Sequence, residues 1–139
     1  MVIKLIHQHF DRRDYDSHSE FRSDIATHLK IILVGKSVIN DDTGLSIAFN
    51  KAGIEKMVSK IGGIKSFALC NLQPILKNAT FVEQQHDKKN RTFILSVLLF
   101  KVMVEIKDSE YEVWCYVRHQ NDGHFLYSLN INAQKNALG

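Results

Sequence analysis

From Thr80 onward the chain reads as strand. FILSVLLFKVMVEI, EYEVWCYVR and HFLYSLNI follow one another, separated by short polar turns, which is the pattern of an antiparallel meander. The turns allow a register to be written. With Asp108-Ser109 as a two-residue turn, Ile106 faces Tyr111, Val104 faces Val113, Val102 faces Cys115 and Phe100 faces Val117. All eight then point to one apolar side. With Asn121-Asp122-Gly123 as a three-residue loop, Phe125, Tyr127, Leu129 and Ile131 join that side. The other side carries Lys101, Met103, Glu105, Glu112, Trp114, Tyr116, Arg118, Leu126, Ser128 and Asn130.

Upstream the period changes. Ser17-His18-Ser19-Glu20 has the spacing of a capping box, and Phe21, Ile25, His28, Leu29 and Ile32 follow at helical spacing, which predicts a helix over about 18–30. IILV is then a short apolar run ended by Gly35. SVINDDTGLSIAF reads as two short strands around a turn built from Asn40, Asp41, Asp42 and Gly44. Asn50 is placed to cap a helix whose inner face is Ile54, Met57, Val58 and Ile61, stopped by Gly62-Gly63. Another helix follows from about Ile64, with Phe67, Ala68, Leu72, Ile75 and Leu76 inward. Pro74 demands a kink or restart, with Pro74 in the first turn of a short helix. The fold expected is α+β: N-terminal helices packed on one face of an antiparallel sheet, with a C-terminal three-strand meander.

The 139 residues, 45% of them hydrophobic, suit a single domain with one core. It divides into an N-terminal helical extension, 1–35, and a core, 36–132. The net charge is only +3. Its distribution says more, because residues 51–91 hold eight Lys or Arg against three acids. Charge concentrated this way attracts a polyanion. Cys70 and Cys115 lie in apolar stretches and read as buried thiols, which suits a reducing, cytoplasmic setting. No stretch has the length of a membrane span.

Candidate chemistry is sparse. Gly35-Lys36-Ser37 lacks the upstream glycine of a phosphate-binding loop, since that position is Lys30. His7-Gln8-His9 has no partner at ligand spacing, so no metal or cofactor is expected. The segment QQHDKKNRTF, residues 84–93, is the exception. It sets His86, Lys88, Lys89 and Arg91 between two apolar runs with Asp87 as its only acid. Beside it, the polar sheet face with Trp114, Tyr116, Arg118 and Lys101 has the stacking and charged groups that hold single-stranded nucleic acid, and Lys56 lies on the basic helix.

Taken in order, the Thr43-Gly44 turn entering a strand, the basic helix, Leu72, Ile75, Leu76, Asn78 and Ala79 in LQPILKNA, the strand ending at His86-Asp87-Lys88-Lys89, and the closing meander form a pattern. It resembles the nuclease-like domains attached to phage and mobile-element polyvalent proteins, of the barnase/EndoU/colicin/RelE-type ribonuclease superfamily. The resemblance covers roughly 36–132. It implies metal-independent cleavage of RNA, often by a toxin, with an immunity or antitoxin protein as partner. It carries over His86 and Lys88, and a tyrosine near the last strand that matches Tyr127, although the register above places Tyr127 in the core. Such cleavage uses the ribose 2′-hydroxyl as nucleophile. Histidine suits the proton transfers, and Lys or Arg suits the charge that grows on phosphorus. His86, Lys88 and Arg118 are therefore the catalytic candidates, with Lys56, Lys89, Arg91, Lys101, Trp114 and Tyr116 as RNA contacts. Glu83 is placed to orient His86. His119 and His124 are alternative acids, expected in solvent at the hairpin end. A non-catalytic module of the same fold, binding nucleic acid or protein, is the alternative reading.

Overall fold

A computed structural model describes residues 2–6, 10–59 and 61–133. His7-Gln8-His9 lies outside them. In chain order the elements are β1 (Val2–Lys4), α1 (His18–Leu33), β2 (Ser37–Ile39), β3 (Ser46–Ala48), α2 (Lys51–Ser59), α3 (Gly63–Leu69), α4 (Leu72–Asn78), β4 (Thr80–Gln85), β5 (Ile94–Ile106), β6 (Ser109–Gln120) and β7 (Gly123–Ala133).

Local signals explain most of these. Ser17 Oγ accepts from the Glu20 N–H at 3.1 Å and starts α1. Phe21, Ile25, Leu29 and Leu33 all bury on one face, each contributing about 1.5–3 kcal/mol. That periodicity carries the helix through the apolar run to Leu33, three residues past the predicted end, before Gly35 turns the chain at φ +86°. Asn50 Oδ1 accepts from the Gly53 N–H at 2.8 Å at the start of α2. The chain breaks between α3 and α4, and Pro74 falls in the first turn of α4, where its missing N–H leaves no bond unmade.

The strands form one sheet in the order β1-β5-β6-β7-β3-β2, with β4 also on β5. It is mixed rather than antiparallel, because β1–β5 and β3–β7 run parallel. β4 lies along residues 97–101 of β5 and β1 along 103–105. The helices pack with one face. A single hydrophobic cluster joins Phe21 and Ile25 of α1, Ile54 and Met57 of α2, Leu72 and Leu76 of α4, and Phe100, Val104, Val113, Val117 and Leu129 of the sheet. Cys115 is buried in it, whereas Cys70 is only half-buried, contrary to expectation.

The two hairpins correct the predicted register in different ways. In β5–β6 the turn is Lys107-Asp108, both at positive φ, so Ile106 pairs with Ser109 and Phe100 with Cys115. The slip is two residues, which preserves the face. In β6–β7 the turn residues are Asn121-Asp122, because Gln120 pairs with Gly123, and β7 carries an extra residue. Cys115 pairs with Leu129 and Tyr116 with Ser128, but Val117 pairs with Leu126. Tyr127 is the bulged residue. From there to the turn the parity is reversed. Leu126, expected outside, is fully buried. Phe125 and Tyr127, expected in the core, lie on the other face. A leucine brings no polar atom into the core, whereas the phenol would have brought a hydroxyl needing a partner.

α2 closes against the backbone of β7. A Cβ on Gly53 would lie 2.3 Å from the Leu126 carbonyl oxygen. In an ordinary helix interior Gly→Ala stabilises by about 1 kcal/mol. Here Gly53→Ala is expected to destabilise by about 1–3 kcal/mol, since the clash is with backbone and forces α2 off the strand. Urea unfolding of the variant measures this, and a stabilised Gly53→Ala would mean that α2 is not seated there.

Candidate functional site

The segment after β4 folds around Asp87. Its carboxylate accepts from the Arg91 N–H at 2.8 Å, from Arg91 Nε at 2.9 Å and from Arg91 Nη2 at 2.7 Å. Asn90 N–H donates to the Asp87 carbonyl, and Asn90 takes φ +50°. The hydrogen-bonded Arg91 guanidinium holds the Asp87 carboxyl far below its usual pKa of 3.8. A depressed carboxylate contributes stability above its unfolded value and loses it only as pH falls through the folded one. The pair therefore persists at every pH above the ordinary carboxylate range. His86, Lys88 and Lys89 are left exposed around this anchor.

They border a cleft of about 210 Å³ shared with Lys56, Arg91, Tyr116 and Tyr127. The bulged Tyr127 lines it. The Arg118 guanidinium stands 4.0 Å from the Tyr127 ring centroid and Lys56 Nζ 4.7 Å from it. Tyr116 meets the same ring edge-on, with centroids 6.3 Å apart. Beneath lie Ile94, Val97 and Leu99, a small apolar cluster on the sheet face away from the main core. Arg118 Nε is buried without a hydrogen-bond partner. Burial first, then the charge of Arg91, lowers the Arg118 pKa. Both effects disfavour the cation, so an anion placed here relieves them. Burial raises the Tyr127 pKa, and Arg118 opposes the rise. The phenol therefore keeps its proton at neutral pH.

The structure brings His86, Lys88, Lys89, Arg91, Lys56 and Tyr116 together around one cleft, with Arg118 packed on the ring of Tyr127, which also lines it. It separates Lys101 and Trp114. Lys101 Nζ lies 5.5 Å from the Trp114 ring centroid, and the Trp114 indole N–H donates to Glu112 at 2.5 Å. This pair belongs to the same sheet face but does not line the cleft. Glu83 accepts from Gln85 at 2.7 Å instead of orienting His86. His119 and His124 stand at the hairpin end as expected, but half-buried and stacked on each other, on the opposite face. Of the residues that line the cleft, the one that strand alternation misplaced is Tyr127. Its only earlier signal was the tyrosine implied by the resemblance, because a bulge leaves no mark in an alternating pattern.

Two of the elements that carried the resemblance, the Thr43-Gly44 turn and LQPILKNA, are joined by a structural bond network. Asn40, fully buried, donates from Nδ2 to the Leu76 and Ala79 carbonyls at 2.8 Å each, and its Oδ1 accepts from the Thr43 N–H and hydroxyl. The Thr43-Gly44 turn is thereby tied to the end of α4. Asp42 then accepts from the Phe81 N–H at the start of β4, the strand that leads to His86.

No curated protein and no solved structure matches this chain. A family model, large polyvalent protein-associated domain 3, matches residues 16–127. That span runs from the cap of α1 to the bulged tyrosine, and the chain belongs to the large polyvalent protein-associated domain 3 family, a domain of the polyvalent proteins of mobile elements.

Proposed function

We propose that this domain is a metal-independent endoribonuclease, of the toxin or effector type, that cleaves RNA by transesterification. The observation that carries the reading is the β7 bulge, which sets Tyr127 against Arg118 and Lys56 in the cleft bordered by His86. In this scheme the 2′-hydroxyl attacks phosphorus and gives its proton to His86. Lys56, Arg91 and Arg118 hold the negative charge that grows on the phosphoryl oxygens. The bond from phosphorus to the 5′-oxygen breaks, and Tyr127 gives that oxygen its proton. The phenolate left behind forms beside two cations, and His86 returns a proton to it through solvent. The products carry a 2′,3′-cyclic phosphate and a 5′-hydroxyl. A toxin of this kind calls for an immunity or antitoxin protein covering the cleft.

One observation favours the second reading, a module that binds nucleic acid or protein without cutting. His86 is exposed, the adjacent Asp87 is held by Arg91, and Glu83 is engaged with Gln85. A histidine among cations, without an orienting acceptor, is a poor base.

Incubating the protein with labelled RNA in EDTA, beside His86→Ala and Tyr127→Phe, separates the two. The enzyme cuts, leaves cyclic phosphate ends and loses about 10²–10⁴-fold in rate when either group is removed. The module binds without cutting, and the logarithm of its affinity falls against the logarithm of salt with a slope of about −0.7 for each phosphate neutralised. A protein that neither cuts nor binds RNA ends the first reading and leaves only a protein partner for the second.

A further inference from the structure

A second cavity lies at the turn end of the β6–β7 hairpin. His119 and His124 are direct cross-strand partners, and their rings stack at 4.4 Å with planes 7° apart. With Gln84, Ser96, Phe81 and Leu98 they line a cavity of about 360 Å³, within the size range of small-molecule sites. It backs onto the cleft across the sheet. Gln84 and Ser96 line this cavity, while their neighbours Gln85 and Val97 line the other, as alternation along strands dictates. Ser96 pairs with His119 and is 3% exposed, yet its hydroxyl has no hydrogen-bond partner. Leaving such a group unpaired costs stability, so a native position that keeps one calls for an explanation.

The lining narrows the ligand. Among the described residues no Lys or Arg lines the cavity. Burial, and then the neighbouring His119, lowers the His124 pKa, so His124 is disfavoured as a cation for holding a phosphate. Two imidazoles fall short of the three protein ligands typical of zinc in an open site. Among the described residues no three His, Cys, Asp or Glu side chains group to hold an ion. What the walls do suit is a flat, uncharged heteroaromatic ring. It would extend the imidazole stack and lie near the Phe81 ring. The Gln84 amide and the Ser96 hydroxyl would each offer it a donor and an acceptor.

We propose that this cavity takes a single unpaired nucleobase. The proposal rests on the nucleic-acid reading of the cleft and extends it: RNA held by its phosphates on one face turns around the hairpin end and seats one base on the other, giving the domain a sequence preference.

The test uses uncharged nucleosides, which have no phosphate for the cleft, and follows side-chain and amide NMR signals. One nucleoside is expected to shift the His119 and His124 ring signals together with Ser96 and Gln84, and to do so in preference to the other three. Ser96→Ala keeps the shape of the cavity and should weaken binding about two- to ten-fold, and His124→Leu should abolish the response. Absence of shifts for all four nucleosides up to their solubility overturns the proposal, as does a response unchanged in both variants. Nucleoside binding without RNA binding would count against the cleft alone, and RNA binding without nucleoside binding against this cavity alone. A tetranucleotide carrying the preferred base should bind more tightly than the nucleoside. Equal affinity would make the free nucleoside the ligand and overturn the assignment to RNA.

Discussion

Arg118→Ala is expected to slow RNA cleavage by about 10²–10³-fold, the loss typical when one preorganised group facing the transition-state charge is removed. The expectation follows from where the guanidinium stands. It is packed on Tyr127, close enough to Arg91 to feel its charge, with Nε buried and unpartnered. The exposed Lys88 and Lys89 are too well solvated to replace it there. Arg118→Lys should recover only part of the loss, because an ammonium is not planar and does not stack on a ring in the same way. Lys88→Ala and Lys89→Ala should each change the rate only a few-fold and act mainly through salt-dependent association. Single-turnover cleavage of one labelled RNA by the four variants measures the series. An Arg118→Ala protein that melts normally and cuts as fast as the parent would remove Arg118 from the mechanism.

Asn40→Ala is expected to cost about 3–4 kcal/mol of stability, a large share of the about 5–15 kcal/mol that holds a domain of this size. One amide satisfies two buried carbonyls and both polar groups of Thr43. Removing it strands the Leu76 and Ala79 oxygens, and each unpaired buried group costs about 1–3 kcal/mol. Asn40→Asp should be no better. A carboxylate can still accept from Thr43, but it points a second acceptor at two carbonyls. Denaturant midpoints of both variants measure this. A loss under about 1 kcal/mol in Asn40→Ala would show that the turn and α4 are held together by packing instead. The same residues, the Thr43-Gly44 turn and LQPILKNA, carried the family resemblance, so what that pattern records is how β4 is launched toward the cleft.

The cleft was partly legible because its loop is continuous in sequence. His86, Lys88, Lys89 and Arg91 lie within six residues of one another, and a short loop between two paired strands keeps such groups together. Arg118 and Tyr116 followed from alternation along β6, which its burial shows from Glu112 to Arg118. Lys101 and Trp114 share the face for the same reason, but alternation says nothing of distance along a strand, and they stand apart from the cleft.

Periodicity by itself determined the helices, the strands from β2 onward and the apolar side of β5 and β6, because a two-residue slip in pairing leaves every side chain on its own face, but it gave no sign of β1 or of the parallel pairings. Only the tertiary structure decided the position of Tyr127 and the histidine pair. A two-residue turn replaced the longer loop, and the difference of one residue reappeared as a bulge. The choice between Leu126 and Tyr127 for the core was settled by what lies across from them, the Gly53 backbone and the packed helices. Neither is near them in the chain. A bulge answers to those distant contacts, and no local pattern encodes it.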